Sequence, residues 1–316
     1  WSDKVPLPSS ALRLLRNVTL RLRRSDMAPA PVMQLHVAKT AGTSLCHWAN
    51  RSGFSSLLPV GLMNRCQLLG DGPFWFGERA SPASCPQRLV ELAEKNLTWS
   101  SLERWLDLPL CHRLRYVTLL RWPVARTVHH FMHIISFFNL GRYDLQEVFN
   151  VSTLLGGGFF TRLLRLDGPQ FLEQGHQGGG ASWSWPLKTW TLPWLQLWRG
   201  FASNYQVRCL AGAAFGWAFL EKEVDHRLEA AKQVLEQFDA VLVVGHGPVA
   251  SWQTELLSEL LPTALRRPAE MPQVTHMRDL PGESPTKSFA FFDYPWLPGE
   301  LEALQWANRA DALLVE

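Results

Sequence analysis

The chain has 316 residues, of which 47% are hydrophobic and 19% charged, a composition typical of a globular protein with a large core. Its net charge of +3 is too small for a surface that binds nucleic acid throughout, so we expect no nucleic-acid partner, although a local basic pocket for an anion is compatible with it. The sequence contains no run of about 20 apolar residues, which excludes a membrane-spanning helix within it.

The N-terminal segment is basic. Residues 11–24, ALRLLRNVTLRLRR, form an amphipathic stretch that is either a surface helix or a stem next to a membrane anchor upstream of Trp1. We predict that residues 1–30 precede a single α/β domain over 31–316. Triplets of the type Asn-x-Ser/Thr, typical of secretory-pathway glycoproteins, begin at Asn17, Asn50, Asn96 and Asn150.

Short apolar runs rich in β-branched residues predict buried strands at 32–37, 115–120 and 240–245. Helical patterns accompany them at 43–51, 124–138, 224–238 and 249–261. This alternation predicts the α/β class, a P-loop-like parallel sheet with helices on both faces in a three-layer sandwich. Ligands bind such sheets at the carboxyl ends of the strands, just after positions 37 and 120.

Two segments depart from this pattern, and we predict that they are loop-rich inserts at about 53–112 and 140–200. The second insert holds a tryptophan cluster that either stacks on sugar rings or packs as core or lid: Trp183, Trp185, Trp190, Trp194 and Trp198. The chain has five cysteines and no CxxC pair, so no zinc site of that type is expected. Cys85 and Cys111 flank one insert and are a candidate disulfide, and the odd count leaves at least one thiol free.

The stretch VAKTAGTS over 37–44 joins a predicted strand to a predicted helix through small residues. Backbone N–H groups and the positive end of the helix dipole favour an anion there. Gly42 permits close approach, Lys39 supplies a mobile charge, and Thr43 and Ser44 add hydroxyl donors. The order differs from a Walker A loop, where the lysine follows the glycines. The alternative is a strand end with a capped helix and an exposed lysine.

A second anion site is predicted after the neighbouring strand. Arg121 stands at the strand end, Pro123 takes the first turn of a helix, and Arg126 follows within that helix. Two anion sites on adjacent strand ends suggest a ligand with two separated phosphates. His129 and His133 share a helix face, but no third metal ligand is evident, so we expect no metal.

These segments resemble a known family. HVAKTAGTSL is similar to the 5′-phosphosulfate-binding loop, HIPKTGGTS, of the carbohydrate sulfotransferases related to heparan sulfate 2-O- and 6-O-sulfotransferases. LLRWPVARTVHHFMH resembles their 3′-phosphate-binding segment, LRDPVSRxxSxxxH. Weaker similarities follow in the family's order at 204–212, 227–257 and 301–316, so the resemblance covers most of the chain.

The resemblance implies transfer of a sulfuryl group from 3′-phosphoadenosine 5′-phosphosulfate (PAPS) to a hydroxyl, of a sugar or glycan, by in-line displacement. It also implies a Golgi or other secretory-pathway location. Lys39 is expected to neutralise the leaving 5′-phosphate and Arg121 to pair with the 3′-phosphate. Arg208 is expected either to contact adenosine or to support the residues that bind the donor. The residues expected to bind the donor are Lys39, Thr40, Ala41, Gly42, Thr43, Ser44, Arg121, Arg126, His129 and Arg208.

The general base is the main departure from the family. Its 6-O branch uses a histidine in an H-x-x-W-like segment, and NLTWSSL puts Asn96 there, which cannot act as a base. The candidates left in that region are Glu78, Glu94 and His112. His36 is interpreted as a hydrogen-bonded core histidine.

Two alternatives stay open. One is a non-catalytic nucleotide- or glycan-binding relative that has lost the base. The other is a P-loop kinase-like phosphotransferase, which the absence of Walker order and of an evident Mg²⁺ carboxylate after a strand disfavours.

Overall fold

The computed structural model describes residues 30–57, 66–68, 83–103, 106, 110–139, 160, 201–211, 224–244 and 296–316. Several sequence-based predictions lie outside these residues. They concern the basic segment 1–29, Glu78, most of the insert at 140–200 with its tryptophan cluster, and the helix predicted at 249–261.

The described part of the chain contains one sheet of four parallel strands. These are β1 (Val32–Leu35), β2 (Trp99–Leu102), β3 (Arg115–Arg121) and β4 (Ala240–Val244), in the order β2-β1-β3-β4. Nearly every strand residue is buried, as expected for a parallel sheet covered by other elements. The three strands predicted from the sequence are confirmed with small differences at their ends, and so is the α/β class.

Helices accompany the strands as the periodicity predicts. The described helices are α1 (Gly42–Arg51), α2 (Cys85–Glu94), α3 (Pro123–Asn139), α4 (Tyr205–Ala211), α5 (Val224–Leu235), α6 (Glu300–Ala307) and α7 (Arg309–Val315). The apolar stripe of α5 is buried at Val224, Leu228, Ala231 and Leu235, as predicted.

The insert predicted over 53–112 needs a correction, because it contains α2 and the strand β2. Helix α2 has a clear start signal, a capping box in which Ser84 and Gln87 bond each other's backbone N–H groups. Strand β2 has no such signal, since Ser100 and Ser101 interrupt its apolar run although both are fully buried.

The apolar core forms two clusters. Because side chains alternate across a strand, neighbouring residues of β3 enter different clusters. One cluster joins the sheet to α1 and includes Val32, Leu45, Trp48, Val117, Leu119 and Leu242. The other joins it to α4, α5 and α7 and includes Met33, Leu35, Tyr116, Leu120, Val207, Leu228 and Leu314.

Two disulfides link described residues. Cys85 and Cys111 are bonded, which confirms the predicted pair. Cys46 of α1 is bonded to Cys66, a pairing that the sequence did not indicate. Cys209 is a free, buried thiol, in keeping with the odd number of cysteines.

Replacing Cys85 and Cys111 together by alanine should lower the free energy of unfolding by about 3 kcal/mol, because the cross-link restricts the unfolded chain. Urea unfolding followed by tryptophan fluorescence measures the change. Cys85→Ala alone should cost nearly as much, since one cysteine cannot form the bond. Unchanged midpoints in both variants would contradict this prediction.

Candidate functional site

The loop between β1 and α1 has the backbone shape of an anion cradle. Lys39 and Ala41 adopt the left-handed region, with φ of 67° and 68°, whereas Thr40 between them does not. Such alternation turns successive N–H groups toward one side, where they attract negative charge. Ala41 is the N-cap of α1 and no side chain caps the helix, so its dipole adds to the same attraction.

The donors of Thr40 are used within the loop, which corrects its predicted role. Its hydroxyl donates to the Val37 carbonyl at 2.8 Å, and its N–H approaches the same oxygen at 3.3 Å. Thr40 is fully buried and therefore stabilises the loop rather than donating to a ligand. Thr43 and Ser44 are partly exposed in the first turn of α1, and their contact with a ligand stays a prediction.

Gly42 is required by its contact with His36. A Cβ atom added at Gly42 would lie 1.9 Å from Cδ2 of the His36 ring, so the imidazole packs directly against the glycine backbone. His36 is buried, as predicted for a core histidine. Gln34 of β1 also fixes this glycine, because its Nε2 donates to the Gly42 carbonyl at 2.9 Å.

Arg121 ends β3 beside this loop. Its Nη1 donates to the Lys39 carbonyl at 3.2 Å, which joins the end of β3 to the loop after β1. The Nε atom of Arg121 is buried and has no hydrogen-bond acceptor among the described residues. Burial, and secondly the charge of Arg126, lower the pKa of Arg121 to about 10, so the guanidinium remains charged at neutral pH.

Helix α4 fixes the backbone of Arg121. The Gln206 side chain accepts from the Arg121 N–H and donates to the Arg121 carbonyl, both at 2.8 Å. The first turn of α4 is capped in turn by Asp311 of α7, which accepts from the N–H groups of Gln206 and Val207. Asn204 in turn caps α7, because its Oδ1 accepts a hydrogen bond from the N–H of Ala310. The weak similarities at 204–212 and 301–316 thus meet in one hydrogen-bonded unit.

Arg126 lies behind the site and is fully buried. It donates to the Phe201 carbonyl and to Thr127, and its guanidinium stacks 4.5 Å from the centroid of the Tyr205 ring. Its Nη1 is 3.0 Å from Nδ1 of His130. Since a guanidinium only donates, Nδ1 accepts and the ring proton is on Nε2.

Burial, then the charges of Arg126 and Lys39, hold the pKa of His130 well below its usual range, so this histidine is neutral at pH 7. Arg208 is also buried and donates to Ser203, while burial lowers its pKa to about 10. The contact of Arg208 with adenosine stays a prediction. The same holds for donor binding by Arg126 and by His129, which is partly exposed on α3.

The proposed bases in the insert lie at the wrong edge of the sheet. Glu94 and Asn96 precede β2, and His112 precedes β3, so all three are located at the amino ends of the strands. Lys39 and Arg121 follow the carboxyl ends. Glu94 and His112 are exposed there and are not brought to the candidate site. The assignment of Glu94 and His112 as the base is therefore wrong, because the strand direction separates them from the anion loop.

The structure brings a different carboxylate to the carboxyl edge. Glu103 directly follows β2 and is 2% exposed. Its Oε2 accepts from Nε2 of Gln67 at 2.6 Å and lies 3.6 Å from Nδ1 of His36. Its position after a strand was the only signal in the sequence, and β2 itself had not been predicted.

The described residues thus place two cations, a backbone cradle and one buried carboxylate at a single edge of the sheet. No group of three or more His, Cys, Asp or Glu side chains suited to a metal occurs among them. Cations beside a helix N-terminus favour an anionic ligand, and a carboxylate is a group that accepts protons. The chain matches no protein-family model, and no curated protein shows significant sequence similarity to it.

Gly42→Ala should lower the free energy of unfolding by about 1–3 kcal/mol, because the new methyl group displaces the His36 ring. Ala41→Gly should raise it by about 0.5–1 kcal/mol, because glycine adopts a φ of 68° without strain. Urea unfolding measures both. The double variant His36→Ala/Gly42→Ala should lose less than the sum of the single changes. Equal effects of the neighbouring Gly42→Ala and Ala41→Gly changes would contradict this account of the loop.

Proposed function

We propose that this protein is a sulfotransferase that moves the sulfuryl group of PAPS to a hydroxyl of a sugar or glycan. The observation that carries the proposal is the contact between Arg121 and the Lys39 carbonyl. It joins the two segments that resemble the 5′- and 3′-phosphate-binding motifs of the sulfotransferase family. PAPS carries phosphates at two separated positions, and two adjacent basic strand ends suit such a ligand.

The residues at this edge fit an anionic donor. The first turn of α1, which begins at Gly42, supplies backbone N–H groups and the hydroxyls of Thr43 and Ser44. The buried N–H group at Nε of Arg121 could donate a hydrogen bond to a phosphate oxygen. Lys39 would neutralise the charge that develops on the leaving 5′-phosphate, a contribution worth about 10²–10³ in rate at comparable sites.

The same proposal includes the finer fold, a P-loop-like sandwich of three layers, and a compartment. The two disulfides support an oxidising environment such as the Golgi lumen or the rest of the secretory pathway. Among the described residues, no helix is long and apolar enough to cross a membrane. A membrane anchor upstream of Trp1 remains part of the proposal.

Titration calorimetry with 3′-phosphoadenosine 5′-phosphate (PAP), the desulfated donor, tests the donor site. Lys39→Ala and Arg121→Ala should each weaken PAP binding by about 1.5–3 kcal/mol, because each removes a charge-assisted contact. Lys95→Ala is the matched control, since Lys95 is exposed next to α2 at the opposite edge, and it should bind PAP like the wild type.

ATP, added under the same conditions, separates the alternatives. Binding of ATP with Mg²⁺ and none of PAP would favour the kinase-like phosphotransferase. Tight PAP binding without turnover of PAPS on any hydroxyl acceptor would favour the non-catalytic relative. Folded wild-type protein that binds neither nucleotide would remove the donor site altogether.

Asn96 tests the compartment. It lies in an exposed turn between α2 and β2, away from the candidate site, and begins an Asn-Leu-Thr triplet. Chain secreted from eukaryotic cells should therefore carry a glycan there, which peptide N-glycosidase removes with a visible shift in mass. Asn96→Gln should lose that shift and Thr98→Ser should keep it. An unmodified Asn96 in secreted wild-type protein would contradict this prediction.

A further inference from the structure

We propose that Glu103 is the catalytic base, whose carboxylate takes the proton of the acceptor hydroxyl. This inference rests on the proposed sulfuryl transfer and names the group that the insert candidates failed to supply. It stands on the position of Glu103, on the side chains that hold it, and on its contrast with the other buried carboxylates.

The position of Glu103 follows from the sheet register. Leu102, the last residue of β2, is the partner of Leu35, the last residue of β1. The His36 N–H donates to the Leu102 carbonyl at 2.9 Å, so the two chains leave the sheet side by side. His36 opens the loop that carries Lys39. Glu103 therefore stands beside the anion cradle, at the strand end next to it.

Leu106, three residues after Glu103, is bonded to α4. The N–H of Leu106 donates to the Cys209 carbonyl at 2.9 Å. The segment that follows β2 is thus held against the helix that fixes Arg121.

Neighbouring side chains hold the carboxylate in place. Gln67 donates to Oε2 at 2.6 Å, and the His36 ring lies 3.6 Å from the same oxygen. Gln67 itself is fixed by its bridge to Ser101 of β2 and by the adjacent disulfide between Cys66 and Cys46. A group held in this way needs no reorganisation when it accepts a proton.

The other fully buried carboxylates of the described chain have evident structural tasks. Asp311 caps α4 through two backbone N–H groups, and Glu300 accepts from the backbone of Phe160 and Leu297. Glu103 lies at the edge where ligands bind parallel sheets, beside the side chains of Gln67 and His36.

The proposed step is balanced. The acceptor oxygen forms a bond to sulfur while its proton passes to a Glu103 oxygen. The bond between sulfur and the bridging oxygen of the 5′-phosphate breaks, and its electron pair remains on PAP, whose new charge faces Lys39. The proton on Glu103 returns to water after the products leave.

The experiment titrates wild type, Glu103→Gln and Glu302→Gln with PAP and with PAPS. All three should bind PAP equally. Glu103→Gln should bind PAPS more tightly, relative to PAP, by about threefold or more, because the anionic sulfuryl group then no longer faces a carboxylate. Glu302→Gln makes the same chemical change at an exposed position of α6. Its ratio of PAPS to PAP affinity should therefore equal that of the wild type.

Turnover gives a second readout. PAP release from PAPS, with unsulfated heparosan or chondroitin as probe acceptors, should fall by about 10²–10⁴-fold in Glu103→Gln while PAP affinity stays constant. If Glu103→Gln does not melt cooperatively, Glu103→Asp serves instead. Its shorter carboxylate should lower PAP release at least tenfold at unchanged PAP affinity.

The outcomes are distinguishable. A folded Glu103→Gln with the wild-type ratio of PAPS to PAP affinity, or a Glu103→Asp with wild-type PAP release, overturns the role of Glu103 and leaves the donor site standing. A folded wild type that binds no PAP overturns the proposed function and this inference together.

Discussion

Parallel pairing of β1 with β3 is the constraint on which the rest of the site depends. Leu35 is opposite Thr118, and β3 runs on beyond that pair to Arg121. The guanidinium of Arg121 therefore arrives at the level of the loop after β1 and reaches the Lys39 carbonyl. A slip of one residue would turn the alternate side chains of β3 to the other face of the sheet and break both core clusters, so burial of those clusters enforces the register.

Behind this edge, buried polar groups specify one arrangement of the C-terminal helices. Asp311 caps α4, Asn204 caps α7, and Gln206 of α4 clamps the backbone of Arg121. A buried ionic group such as Arg126 contributes little net stability, because its desolvation offsets much of its attraction to partners. Its value lies in geometry, since Phe201, Tyr205 and His130 must all be in place to satisfy it. The C-terminal helix thereby helps to position a strand end far from it in sequence.

The charges at the carboxyl edge are separated by strand. The cations follow β1 and β3, whereas the buried carboxylate follows β2 on the far side of β1. That distribution supports the proposed in-line displacement, in which negative charge would grow on the leaving phosphate while a proton leaves the nucleophile at the other end. The position of the His36 ring explains why residue 42 is glycine. The ring lies beside Glu103 and occupies the space that a side chain at position 42 would need.

The sequence by itself determined the strands β1, β3 and β4, the helices α1, α3 and α5 and the cation-bearing loops, because periodicity and turn chemistry are local properties of the chain. It also indicated the pairing of Cys85 with Cys111. Only the tertiary structure decided the rest. Strand β2 is buried although two of its four residues are serines, which do not indicate a core strand. The parallel direction of the strands places Glu94 and His112 at the edge of the sheet opposite the candidate site. The cluster of His36, Gln67 and Glu103 and the bond between Cys46 and Cys66 join distant segments, and no local pattern encodes such proximity, since packing of the whole sheet creates it.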